Sequence, residues 1–307
     1  MDRDFLRVPS HSRFSAPEPL APSAPAGSSK KIAIVNQKGG CGKTTTAINL
    51  AGCLACEGYR VLLMDCDPQA QASLGLGVDI DTQDKTLYDV LMGRAGLEAV
   101  VKPTTVGGLD IASSNHLLAG AQLELASVLG RESVLKGSLK KFLDIQSYDY
   151  CLADCSPTLN LVTVNALVAC EYIFIPLQTH YFSLEGMKEL FATIETVRER
   201  LNPDLKILGI LPTLFDGRMK MNHEILKQIK DHFKDLVFET VIHINVKLCE
   251  APLYKKPIHL YAPESRGTRD YGQVTKEVIA RTQHIPLESL LACGKVPYEY
   301  GRGTVNK

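Results

Sequence analysis

A glycine-rich segment with two lysines, KGGCGKTTT at residues 38–46, holds the residue types best suited to chemistry in this chain. Gly39, Gly40 and Gly42 have no Cβ atom, so the backbone can adopt positive φ angles and turn its N–H groups onto an anion. A strand-like run precedes the segment and an apolar helical run follows it, which places these N–H groups at the positive end of a helix. The pattern predicts a loop that binds the phosphates of a nucleotide.

The side chains at the start of the predicted helix complete such a site. Lys43 is placed to reach the β- and γ-phosphates, the Thr44 hydroxyl to hold Mg²⁺, and Thr45 to contact phosphate oxygens. The strand is predicted at 31–35 and the helix from Lys43 to about Cys56.

Acidic residues lie at the carboxyl ends of two further predicted strands. Asp65 and Asp67 follow the apolar run at 60–64, and Asp154 lies near the end of the apolar run at 148–156. In α/β sheets, ligands bind at the carboxyl ends of the parallel strands. Carboxylates at that edge can hold Mg²⁺ directly or through its bound water.

The order of these motifs resembles the ParA and MinD family of ATPases, whose deviant phosphate loop is matched by KGGCGKT and whose D-x-D-P-Q segment is matched by DCDPQ. The D-x-P-P segment is matched from Asp154, with Ser156 in place of the first proline. The resemblance implies that Lys38 crosses to the nucleotide of a second subunit in an ATP-dependent dimer. It also implies that Asp67 orients the attacking water while Asp65 and Asp154 help to hold Mg²⁺.

A later segment, VFETVIHINVKLCEAP at 237–252, resembles the family's stretch V-I-P-R-N-V-R-L-x-E-A-P. Asn245 matches the asparagine near the adenine, whereas His243 replaces proline and Ile244 replaces arginine. In chromosome-segregating members, arginines here and in the preceding turn bind DNA without reading its sequence. The missing arginine weakens that expectation, because each neutralised phosphate adds an increment of affinity; a solvated face of mixed charge is the alternative.

Two sets of residues follow from the motifs and the resemblance. The nucleotide-site set comprises the cofactor-binding residues Lys38, Gly39, Gly40, Cys41, Gly42, Lys43, Thr44, Thr45 and Asn245, the catalytic residues Lys38, Lys43 and Asp67, and the metal residues Thr44, Asp65 and Asp154. The DNA set comprises Arg218, Lys220 and Lys247.

Alternating strands and helices predict an α/β fold, a doubly wound and mostly parallel sheet with helices on both faces, as in P-loop NTPases. We expect a disordered tail rich in Pro, Ser and Ala at 1–29, an ATPase domain at 30–283 and a C-terminal extension at 284–307. Within the domain, the sequence predicts a mobile turn in the QASLGLGV stretch that begins near residue 70 and a helix from Ser183 to about Leu201.

Composition narrows the class of protein. The chain has no run of eighteen apolar residues, which argues against a membrane span. Nine cysteines scattered through predicted strands and helices favour reduced thiols in a cytoplasm over a disulfide framework. Lys and Arg number 34, equal to Asp and Glu, so any nucleic-acid binding must come from a local patch. The C-terminal tail lacks the basic amphipathic helix that anchors MinD-type proteins to membranes.

The resemblance therefore implies an ATPase that uses ATP and Mg²⁺, dimerises on binding them, and binds DNA non-specifically as the dimer. It implies segregation of chromosome or plasmid DNA with a ParB-like partner, in the cytoplasm and on the nucleoid. The alternative is a related ATPase that positions another cargo, such as a protein cluster or a division-site component. A metabolic P-loop ligase or an iron–sulfur reductase is disfavoured, the latter because no cysteines stand at the bridging positions.

Overall fold

The computed structural model describes residues 29–180, residue 183 and residues 186–292. The predicted N-terminal tail lies outside the described residues except for Ser29, and so does the part of the C-terminal extension from residue 293 onward.

One seven-stranded sheet organises the domain, in the strand order β3-β4-β2-β5-β1-β6-β7. All neighbouring strands are parallel except β3 and β4. The strands are β1 (Lys30–Ile34), β2 (Val61–Cys66), β3 (Val101–Pro103), β4 (Leu109–Ala112), β5 (Tyr150–Cys155), β6 (Tyr172–Gln178) and β7 (Lys206–Thr213). The predicted doubly wound, mostly parallel sheet is confirmed.

Twelve α-helices occur in the described part of the chain, joined by short 3₁₀ turns. They are α1 (Lys43–Cys56), α2 (Gln71–Gly75), α3 (Leu87–Leu91), α4 (Ala121–Glu124), α5 (Val134–Leu143), α6 (Leu161–Ala169), α7 (Met187–Arg200), α8 (Lys220–Phe233), α9 (Val246–Glu250), α10 (Ile258–Tyr261), α11 (Arg266–Gln283) and α12 (Leu287–Ala292). None of these helices is both long enough and apolar enough to cross a bilayer.

Side chains on both faces of the central strands are buried, as parallel sheets require. On β1, Ile32 and Ile34 enter the core beneath α1 and α11, whereas Ala33 enters the core beneath α5, α6 and α7. The same alternation along β2 and β5 turns the side chains of Asp65 and Asp154 toward the layer that contains α1. Alternation thus directs both carboxylates to the helix that starts at the phosphate loop.

The position of β1 determines where a ligand can bind. It pairs with β5 on one side and β6 on the other. The connection from β1 leads to β2 on the β5 side, whereas the later strands β6 and β7 lie on the opposite side. The carboxyl end of β1 is therefore a topological switch point, where sheets of this class form their ligand crevice.

Two local predictions were wrong. The stretch expected to be a mobile turn contains α2, because the buried Asp65 carboxylate accepts hydrogen bonds from the Ser73 N–H and hydroxyl groups and holds this helix in place. The helix expected from Ser183 begins instead at Met187. The Ser183 N–H group bonds to the carbonyl of His180 in a turn, so this serine does not cap α7.

We expect Gly209→Ala to destabilise the fold by about 2 kcal/mol or more. A Cβ atom at Gly209 on β7 would lie 2.4 Å from an Arg281 guanidinium nitrogen and 2.5 Å from the Phe238 ring. In the matched control Gly137→Ala, on α5, the new Cβ meets no atom within 4 Å. The control should stabilise the protein by roughly 0.5–1 kcal/mol, since alanine restricts the unfolded chain. Denaturant unfolding measures both values, and equal effects would contradict the packing.

Candidate nucleotide-binding site

The glycine-rich loop adopts the backbone that its sequence requires. Gly40 and Gly42 have φ angles of 71° and 89°, in the left-handed region that favours glycine. Gly42 is the N-cap of α1, and no side chain caps this helix. The N–H groups of the first turn are therefore left available to an anion.

Hydrogen bonds to neighbouring strands fix the loop. The Asn36 side chain accepts from the Lys38 N–H group at 3.0 Å and donates to the Pro176 carbonyl on β6 at 2.7 Å. The Thr213 hydroxyl at the end of β7 donates to the Cys41 carbonyl at 2.8 Å. An asparagine just after a strand is a recognisable turn signal, whereas Thr213 is far away in sequence and carried no such signal.

The two loop lysines point in different directions. Lys43 is 7% exposed, and its ammonium group donates to the Lys38 carbonyl at 3.0 Å, within the loop itself. The Lys38 ammonium group instead donates to the Ser183 hydroxyl at 3.1 Å. Lys43 is thus held over its own loop, while the Lys38 side chain leads away from it.

Asp65 and Asp154 lie directly opposite each other on β2 and β5, and both are fully buried. The Asp65 carboxylate accepts from the Ser73 N–H group at 2.8 Å, from the Ser73 hydroxyl at 2.7 Å and from the Asp67 N–H group at 3.2 Å. Neither carboxylate oxygen of Asp154 accepts a hydrogen bond from the described residues. A buried carboxylate without a partner is costly.

Burial raises the pKa of Asp65 to about 6, although its bonds to Ser73 oppose the shift. Burial, followed by the neighbouring charge of Asp65, raises the pKa of Asp154 well above its usual value. The Thr44 hydroxyl and the Lys43 ammonium group act in the opposite direction on Asp154. Two buried acids, one without hydrogen-bond partners, beside a threonine hydroxyl at a helix start form a donor set that fits Mg²⁺ and its bound water.

Asp67 lies just past the end of β2, at the same edge of the sheet. It is partly exposed, and its carboxylate accepts from the Gln69 N–H group at 2.9 Å. An open cleft of about 660 Å³ lies next to the loop and is lined on that side by Gln37. Its other lining residues are Pro157, Thr158, Leu159, Glu189, Ala192 and Thr193.

Asn245 and the three residues predicted to bind DNA come from two other segments. The Asn245 side chain caps α9 by accepting from the Lys247 N–H group at 2.9 Å. Arg218 makes two hydrogen bonds to its neighbour Asp216, at 2.9 and 2.7 Å. The Lys247 ammonium group bonds to Glu250 at 2.7 Å. Lys220 is exposed at the start of α8.

Cysteines do not form a metal site in the part of the chain that the structure describes. No group of three or more Cys, His, Asp or Glu side chains there has a metal-binding arrangement. Cys151 and Cys155 are packed in the core. Cys53 is buried as well, whereas Cys56 on the same helix is exposed.

Comparison with known proteins identifies the family. The family described as "AAA domain" matches residues 29–207. Sporulation initiation inhibitor protein Soj of Bacillus subtilis is 45% identical over 251 residues, which cover 82% of this chain and 98% of Soj. The chain belongs to the ParA/Soj family of partitioning ATPases. Chromosome partitioning protein ParA of Caulobacter vibrioides is 44% identical over 250 residues, covering 81% of this chain and 94% of that protein.

A solved structure agrees with the fold of the ParA/Soj family and with the nucleotide and metal expected for it. Cobyrinic acid a,c-diamide synthase from Mycobacterium smegmatis, with bound ADP and magnesium, has a TM-score of 0.74 at 31% identity. The match covers 83% of this chain and 96% of that one. The predictions of a P-loop NTPase fold, an ATPase family, and ATP with Mg²⁺ as that family's cofactors are confirmed.

We expect Asp154→Asn to stabilise the nucleotide-free protein at pH 7.5, because it removes a buried acid that lacks partners. The gain should be on the order of 1 kcal/mol, or roughly 2–4 °C in the thermal midpoint. Because the folded-state pKa of Asp154 is raised, the folded state binds more protons than the unfolded chain. The contribution of Asp154 to the wild-type free energy of unfolding therefore falls as pH rises above about 4, and the advantage of the variant should grow from pH 5 to 7.5.

The same variant should lose the thermal stabilisation that ATP with Mg²⁺ gives to the wild type. Asp231→Asn, an exposed acid on α8, is the control and should behave like the wild type in both measurements. Full Mg²⁺-dependent stabilisation in Asp154→Asn would contradict the metal assignment.

Proposed function

We propose that this chain is a partitioning ATPase whose ATP-bound dimer binds DNA without reading its sequence and segregates chromosome or plasmid DNA with a ParB-like partner. It would act in the cytoplasm, on the nucleoid. The observation that carries the proposal is that the side chains of the two loop lysines, Lys38 and Lys43, point in different directions. Lys43 is held over its own loop, whereas the Lys38 ammonium group is directed away from it toward Ser183. A second lysine directed out of its own site suits a contact across a dimer.

The residues of the site support a nucleotide with its metal. The free N–H groups at the start of α1 and the Lys43 ammonium group would bind the phosphates. Thr44 and Asp154, with Asp65 behind them, would hold Mg²⁺, which when bound neutralises charge on the β- and γ-phosphates. Asp67, partly exposed at the edge of the sheet, would accept a hydrogen bond from the attacking water. Lys38 of the other subunit would act as an arginine finger does in GTPases.

Dimerisation would also explain how a weak cationic surface binds DNA. Arg218 and Lys247 each bond to a neighbouring carboxylate, so one subunit attracts phosphate only weakly. Two such surfaces on one dimer act together, because the second binds at a high effective concentration once the first is bound. Binding would therefore depend on ATP, and hydrolysis would release the DNA. Asn245 remains our proposed contact to the adenine base, with its side chain also capping α9.

A second candidate function is the positioning of another cargo, such as a protein cluster. The observation that favours it is the apolar character of the same surface. Ile244, at the position of the family's arginine, is 56% exposed, and Met219, Met221 and Val246 are at least half exposed. Exposed apolar side chains suit a protein partner better than a phosphate backbone.

Binding to random-sequence duplex DNA distinguishes these two functions. We expect binding only with ATP and Mg²⁺, and not with ADP or without nucleotide, weakening as salt rises because counterions are released. The measurement is fluorescence anisotropy of labelled duplex over a salt series. ATPase activity without DNA binding in any nucleotide state would contradict the DNA function and favour the other cargo.

The two loop lysines should separate binding from dimerisation. Lys43→Ala should lose ATP binding, because it removes the charge over the loop. Lys38→Ala should bind ATP and remain monomeric in light scattering, while Lys140→Ala, an exposed lysine on α5, serves as a control that dimerises normally. An ATP-dependent dimer of Lys38→Ala would contradict the cross-subunit role.

A further inference from the structure

Three segments that are distant in sequence meet beside Ile244. Residues 216–220 lie beside residues 243–247, because the Ile244 N–H group donates a hydrogen bond to the carbonyl of Phe215, the residue just before 216–220, at 3.1 Å. The start of α11 joins them, because the Arg266 guanidinium lies 2.6 Å from Nε2 of His243. We call this surface, formed by 216–220, 243–247 and Arg266, the Ile244 face.

The cations of the Ile244 face differ in how far their charge is compensated. Arg218 is bound by both oxygens of Asp216, and Lys247 is bound by Glu250. Arg266, like Lys220, is exposed and forms no ion pair with a carboxylate in the part of the chain described. Its guanidinium therefore keeps N–H donors and a charge that no directly bound carboxylate cancels.

His243 fixes the direction of that guanidinium. Arginine can only donate, so Nε2 of His243 must accept, and the proton of the ring must be on Nδ1. Nδ1 lies 3.0 Å from an Asp270 carboxylate oxygen, and the His243 backbone N–H group donates to the same oxygen at 3.0 Å. The His243 and Asp270 side chains are only 15% and 12% exposed, and the imidazole packs edge-on against Phe215. The carboxylate is thus turned inward, while the guanidinium lies at the surface.

This cluster contains two of the three departures from the family pattern in this segment, His243 and Ile244, whereas the third, Lys247 in place of arginine, keeps the positive charge. A proline at position 243 could neither accept from Arg266 nor donate its N–H group to Asp270. Isoleucine at position 244 supplies no charge. His243, which positions Arg266, is therefore adjacent in sequence to Ile244, which replaces the family's arginine.

We propose that Arg266 is an additional DNA-phosphate contact, positioned by His243 and Asp270, that supplies the positive charge which Ile244 does not provide. The inference rests on the proposed DNA-binding function. A guanidinium can form two parallel hydrogen bonds to a phosphate. In an ATP-bound dimer, each subunit would supply one such contact on the same duplex.

The test is the salt dependence of DNA binding with ATP and Mg²⁺ for the wild type and Arg266→Ala. Each phosphate contact contributes about 0.9 to the slope of log K against log salt, so removing one per subunit should reduce the slope by about 1.8 for the dimer. The control Lys140→Ala removes one exposed charge from α5, which packs on the opposite side of the sheet from α11, the helix that carries Arg266, and should leave the slope unchanged. ATP-dependent dimerisation, measured by light scattering, should be normal in both variants.

A double-mutant cycle tests the positioning role of His243. His243→Phe keeps an aromatic ring against Phe215 but cannot accept from Arg266, so it should also reduce the slope. In the Arg266→Ala background the same change should have no further effect on the slope. A purely structural effect of His243→Phe would persist in that background and would overturn the positioning role.

The outcomes separate this inference from the proposed function. If the wild type binds DNA with ATP and Arg266→Ala has the same slope, the Arg266 contact is wrong and the proposed function stands. If Lys140→Ala lowers the slope equally, the effect is one of total charge and the inference is overturned. If the wild type binds no DNA in any nucleotide state, the proposed function fails and the inference fails with it.

Discussion

Two carboxylates, Asp65 and Asp154, lie side by side on neighbouring strands and are excluded from water. Such burial is unfavourable unless hydrogen bonds or opposite charges compensate it. For Asp65, the Ser73 N–H and hydroxyl groups on α2 provide the compensation. Asp154 has no such partner, and only the start of α1, with Thr44 and Lys43, opposes the rise of its pKa. A cation at this edge of the sheet would compensate the Asp154 carboxylate, as we propose for the Mg²⁺ that accompanies the nucleotide.

Two further contacts connect the phosphate loop and α1 with the Ile244 face. Thr213 at the end of β7 holds the loop through the Cys41 carbonyl, and the turn that carries Arg218 follows directly. Along α11, the Tyr271 hydroxyl bonds to the Thr46 hydroxyl near the start of α1 at 3.1 Å, and the first residue of the helix is Arg266. One strand end and one helix thus contact both the loop region and the surface. These contacts form a contiguous physical connection between the loop and the proposed DNA contacts.

The prediction of local structure succeeded where the signal was local. Gly40 and Gly42 require positive φ, and the structure places them there, so the loop could be read from residue types alone. The strand ends that carry Asp65 and Asp154 followed from apolar runs. The prediction failed at α2 because the residue that stabilises it is the buried Asp65, which interacts with Ser73 only when β2 and the helix are folded together. Likewise, Ser183 looked like a helix cap, but it bonds to Lys38 across the fold.

The sequence by itself determined the order of strands and helices, the phosphate loop and the acids at the strand ends, because these depend on backbone preferences and on hydrophobic periodicity over short stretches. Only the tertiary structure decided that Asp65 and Asp154 are opposite partners and that Asp154 lacks a hydrogen bond from the described residues. It also decided that His243 holds Arg266, and that Arg218 and Lys247 are paired with carboxylates. These facts depend on distances between side chains, set by sheet register and helix packing, which no local pattern encodes.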